Sequence, residues 1–152
     1  MGMTDQTLVD KLLTMFTLNT TAFTITPGTG GGSAFTFTPP LHLRLFATTG
    51  SEATTGTEQT GTNGYTTGGS TMGTTAFAAW SAGASSNANQ VQWTASGTWA
   101  SATNGIEIWD TSGTPVRLFW GALTSAIAAN AVVNLDTVTF AAGSITTNAS
   151  AW

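Results

Sequence analysis

The sequence predicts an all-β protein, a β-sandwich or jelly-roll-like domain preceded by a short N-terminal helix or arm. Three observations carry this. Beyond residue 34 apolar residues alternate with period two in many short runs. Gly, Asn and Pro punctuate those runs as turns. Threonine, whose β-branch suits a strand, occupies many of the solvent-side positions. A chain of 152 residues hides roughly 70% of its unfolded surface on folding, enough for one β-rich domain with an appendage.

Along the chain, Leu8, Val9, Leu12, Leu13 and Phe16 recur at helical spacing, with Thr4 placed to cap and Asp5 at the positive end of the dipole. So short a helix is marginal alone in water and must dock, on its own domain or on a neighbouring subunit. Pro27-Gly28-Thr29-Gly30-Gly31-Gly32-Ser33 is a linker by composition and divides an arm, 1–33, from a sandwich domain, 34–152. Its glycines lack the Gly-Lys-Ser/Thr and the βαβ setting of a phosphate loop.

Strands are predicted at 35–38, 41–47, 74–80, 90–94, 105–109, 116–120, 131–135, 137–140 and 144–147. Pro39-Pro40, Asn104-Gly105 and the run from Thr111 to Pro115 read as turns. The polar stretch from Thr48 to Thr71 is a long excursion, expected along a neighbour or on the outer surface. In the hairpin from Gly105 to Gly121, Ile106, Ile108, Val116, Leu118 and Trp120 form one face. Glu107, Trp109, Arg117 and Phe119 form the other. The first face is expected in the core and the second against a partner.

Composition excludes several functions. Charged residues are 7% of the chain and the net charge is −4, with a pI near 4.4. Nucleic-acid binding needs many phosphate-neutralising cations, and an anionic membrane is disfavoured by the same sign. With no cysteine, thiolate zinc sites, disulfides and cysteine nucleophiles are ruled out. No eighteen-residue apolar run exists, and Met1 to Asp5 lacks the positive start of a signal peptide, so the chain is expected to stay in the cytoplasm of its producer. A mean hydropathy of +0.13 at so little charge implies apolar surface that a monomer would leave wet. A homo-oligomer is therefore expected.

The residues that could carry chemistry do not converge. His42 is the sole histidine and alternates with leucines on a strand, and no Gly-x-Ser-x-Gly elbow is present. Glu107 and Asp110 are the nearest to a carboxylate pair, but one sits in a strand and the other opens a turn. Asp110 is expected to close that turn, and Glu107 to pair with Arg117 across the hairpin for a few tenths of a kcal/mol. No catalytic, metal-binding or cofactor-binding residue is assigned. Six tryptophans, Trp80, Trp93, Trp99, Trp109, Trp120 and Trp152, suit a core or an interface, with glycan stacking as the alternative. The interface candidates are Leu8, Leu12, Phe16, Trp109, Phe119 and Trp152.

Read in order, Leu41-His42-Leu43-Arg44-Leu45-Phe46, Gly56-Thr57-Glu58, Gly64-Tyr65, Val91-Gln92-Trp93, Ile106 to Asp110, Leu118-Phe119-Trp120-Gly121-Ala122-Leu123 and Asp136 to Gly143 form a recognisable series. It resembles a family of small tailed-phage virion proteins, often labelled tail fibre or minor structural proteins, over roughly residues 35 to 147. The chain departs from the family's pattern at Thr66-Thr67, at Ala100, and at Leu135, where the family carries glycine before the Asp. Those departures bear on local turns. The resemblance implies a non-enzymatic structural protein of the virion. The main expectation is a capsid decoration or cement protein that bridges shell subunits, partnered by the major capsid protein, and the resemblance implies a trimer. The alternative is a tail fibre or tail-tip component partnered by a tail protein, with a host-receptor or glycan-binding role.

Overall fold

The computed structural model describes residues 22–25, 34–82 and 84–148, together with Thr14 and Thr17. The helix expected over 4–16 and the linker over 27–33 lie outside the described residues, apart from Thr14. Thr14 and Thr17 have helical backbone. The rest is strand, turn and loop.

Among the described residues eleven strands follow one another: β1 (Phe23–Ile25), β2 (Phe35–Phe37), β3 (His42–Thr48), β4 (Thr57–Glu58), β5 (Ser70–Thr71), β6 (Ala84–Ser86), β7 (Val91–Thr94), β8 (Thr103–Trp109), β9 (Arg117–Ile127), β10 (Thr137–Phe140) and β11 (Thr146–Asn148). All pairings are antiparallel. The main sheet runs β4-β3-β8-β9, with β5 also on β3. Three two-stranded sheets, β1-β2, β7-β10 and β6-β11, complete the set.

Period-two alternation explains the layering. Leu43 and Leu45 of β3 stand opposite Ile108 and Ile106 of β8, so one face of the main sheet is aliphatic. That face joins Val91 and Trp93 of β7, Ile145, Phe37, Phe77 and Tyr65 in a single buried cluster, the arrangement of a sandwich. Fully burying each such side chain contributes about 1.5–3 kcal/mol. The all-β class read from the sequence is thus the class observed.

Several local expectations are corrected. Residues 74–80 form a loop with one bridge, Phe77 to Asn87, because Ala76, Phe77 and Trp80 all turn inward instead of alternating. Residues 131–135 form a turn-bearing loop, not a strand. Asn104-Gly105 lies inside β8: Asn104 Nδ2 donates to the Ala47 carbonyl, and Gly105 serves close approach. A Cβ there would lie 3.0 Å from both the Gly121 carbonyl and Thr49 Oγ1. The excursion from Thr48 to Thr71 folds back on its own sheet through β4 and β5. Its anchor is Tyr65, which packs 5.9 Å from Trp93 and 6.1 Å from Trp99.

The hairpin faces also differ from expectation, through a β-bulge. Ile108 pairs with Phe119, yet the next residue, Trp109, pairs with Arg117. Leu118 is the extra residue, and it reverses the alternation of β9 relative to β8. Phe119 therefore joins the aliphatic face, and Trp120 joins Glu107 on the other.

Candidate functional site

The outer face of the main sheet gathers Arg44, Glu58, Glu107 and Arg117, four of the chain's ten charged residues. On β3, His42, Arg44 and Phe46 alternate with the buried leucines. Arg44 stands opposite Glu107, and Glu107 opposite Trp120. Both arginines of the chain, Arg44 and Arg117, lie here.

Glu107 is 1% exposed. Its Oε1 accepts from Arg117 Nη1 at 3.1 Å and from the Gly56 amide at 2.9 Å, while Oε2 accepts from Trp109 Nε1 at 3.0 Å. Arg117 also donates to the carbonyls of Ser51, Glu52 and Thr54, clamping the 49–56 loop over the face. Gly50 makes this approach workable, since a Cβ there would collide with the Glu107 carboxylate and the Arg117 guanidinium. The pair is thus a buried, multiply bonded ion pair. Breaking such a pair costs about 3–5 kcal/mol, well above the surface-pair value its sequence spacing implies.

A second group adjoins it. The Arg44 guanidinium lies 4.6 Å above the Trp109 ring, and its Nη1 is 3.7 Å from Glu58 Oε2. Tyr65 donates its phenolic proton to Glu58 Oε1 at 2.7 Å and accepts from the Leu45 amide at 3.1 Å. Burial, and after it the Glu58 carboxylate, pushes the Tyr65 phenol above its ordinary pKa. It stays protonated as a structural donor.

Asp110, fully buried, accepts from the Thr38 and Val116 amides at 3.1 and 2.7 Å and from Ser112 Oγ at 3.0 Å. It closes the turn before Val116, as its position in the sequence implies. Every carboxylate in this region is committed to holding backbone or an arginine. Among the described residues no three His, Asp or Glu side chains gather as a metal site. The arrangement has the chemistry of a strut.

Of the interface candidates, Leu8, Leu12, Phe16 and Trp152 lie outside the described residues. The other two lie on opposite faces. Trp109 is on the outer face beneath Arg44, half-buried. Phe119 packs inside its own chain, its ring 5.7 Å from Phe77 and stacked 6.2 Å from Trp80. Trp80, Trp93 and Trp99 are buried, and Trp120 is 44% exposed. No row of open tryptophans stands among the described residues. Sequence reasoning missed Arg44, Glu58 and Tyr65 as one group; the signal was an arginine at an alternate position on an otherwise aliphatic strand.

The family model described as podophage GP4 fiber I protein gp80 matches residues 17–148. The chain belongs to that family. It is thereby a member of a tailed-phage virion structural protein family, as its motif order implied. A fibre family fits the tail-fibre alternative better than capsid decoration. No curated protein matches the chain.

Proposed function

We propose that this fibre-family protein is a non-enzymatic structural component of a podophage tail fibre. The observation that carries the reading is the family match across 17–148. The geometry supports it, because Glu58, Glu107, Asp110 and both arginines are consumed by internal contacts. A chain with so few charges forms dry contacts with its neighbours at little desolvation cost. Repeated copies along a fibre then add their weak contacts by multivalency.

Labelling purified particles with an antibody against the chain tests the location. Label on the tail is the expected result. Label spread over the capsid faces would restore the cementing role and remove the tail assignment.

A further inference from the structure

The main sheet is closed on one side and open on the other. On β3 the far side is covered by β4 and β5, two residues each. The opposite border is β9, eleven residues long, with β8 as its neighbour in the sheet. Natural edges are blunted by short length, Lys, Pro or inward charges. Residues 118 to 127, Leu-Phe-Trp-Gly-Ala-Leu-Thr-Ser-Ala-Ile, contain no charged residue and no proline. The register with β8 also passes from Ala122 to Ile127 without pairing the residues between them.

A groove of about 200 Å³ runs beside this edge, lined by Ile106, Phe119, Leu123, Phe140 and Ile145 among others. On the outer side Trp120, Ala122 and Thr124 are exposed. Among the described residues no strand pairs with this border, and apolar surface flanks it on both sides.

We propose that β9 is a self-association surface, pairing antiparallel with β9 of a second copy across a two-fold axis at Ala122. The occupant follows from the edge itself. Each remaining border of the main sheet is a two-residue strand, too short to receive an eleven-residue partner head to tail. An isologous pair needs only the same strand twice. Its charge register is clean: centring on Ala122 sets Arg117 opposite Ile127 of the second copy, and no like charges meet. Arg117 is in any case neutralised by Glu107 within its own chain. The joined sheet would run without interruption through both copies. This surface belongs to the chain alone and stands whether the fibre lies on the tail or elsewhere.

The test uses the full chain in analytical ultracentrifugation. The wild-type protein is expected to sediment at twice its 15.5 kDa at micromolar concentration. Ala122 is exposed, so Ala122→Lys and Ala122→Glu leave the fold intact, which circular dichroism melts verify. Each places like charges face to face and should weaken the dimer at least ~10-fold, the effect of about 1.4 kcal/mol. Mixing the two variants should restore the dimer. Because the chain has no cysteine, Ala122→Cys under oxidation should give a symmetric cross-linked pair. A wild-type monomer, or a dimer or trimer indifferent to charge at 122, would overturn the proposal. If β9 instead accepts a strand from another virion protein, the wild-type chain stays monomeric and fails the same test.

Discussion

Leu135 shows what a single residue can be made to tolerate. Its φ is +74° and it is 78% exposed, in a turn where the Asp136 amide donates to the Val133 carbonyl. The left-handed region costs a branched L-residue about 1–2 kcal/mol, and glycine nothing. Asp136 holds the turn by accepting from the Val133 amide at 2.9 Å, and the Leu135 amide donates to Ala95 at 2.8 Å. Glycine's larger unfolded-state entropy offsets part of the gain. Leu135→Gly should therefore stabilise the chain by about 0.5 kcal/mol, read as a small rise in Tm. A fall would mean that the leucine side chain contributes contacts of its own. Tyr65 supports a second residue-scale prediction. Its phenol holds its proton more tightly in the folded chain than in the unfolded one. That contribution is complete below about pH 10, where the unfolded tyrosine titrates, and is lost as pH rises further. Tm should drop above that pH, and Tyr65→Phe should flatten the slope while lowering Tm overall through loss of the Glu58 and Leu45 bonds. A slope equal in both proteins would remove Tyr65 as its cause.

At the scale of elements, the bulge at Leu118 decides which side chains of β9 hold the sandwich together. Phe119 packs against Phe77 and Trp80 but is only partly buried, so Phe119→Ala should cost about 2–3 kcal/mol in urea unfolding, below the value for a fully buried aromatic. A loss below 1 kcal/mol would return Phe119 to the partner-facing role its sequence position suggested. The clamp between β8, β9 and the 49–56 loop predicts a different outcome for its own disruption. Glu107→Ala leaves Arg117 buried without its carboxylate and the Gly56 amide unpaired, at a cost of about 3–5 kcal/mol. The loop should then become the first site of limited proteolysis. Cleavage elsewhere first would mean that the Arg117 bonds to Ser51, Glu52 and Thr54 hold the loop unaided.

Across the whole molecule, a described link between the N-terminal segment and the β-layers is a side-chain hydrogen bond. Trp80 Nε1 donates to Thr17 Oγ1 at 2.7 Å, and both residues are buried. Thr17→Val keeps the volume and strands a buried indole N–H, which costs about 1–3 kcal/mol. A drop in Tm of that size would make the segment a part of the folded unit. No change would leave it free for attachment to a neighbour, as expected of an arm set off by a linker.

The sequence by itself determined the β class, most strands of the main sheet and its aliphatic face, because alternation is a local property that side-chain burial must respect. Composition likewise determined that few charges were available for chemistry. What only the tertiary structure decided was the use of those residues. One inserted residue, Leu118, exchanged the faces of Phe119 and Trp120, and no local pattern announces a bulge. Arg44 and Glu58, or Arg117 and the carbonyls of the 49–56 loop, are far apart along the chain and meet only once β3, β8 and β9 have paired. The open border of β9 is of the same kind. Whether a strand is central or terminal depends on the order of the sheet, and that order is set by packing between distant segments.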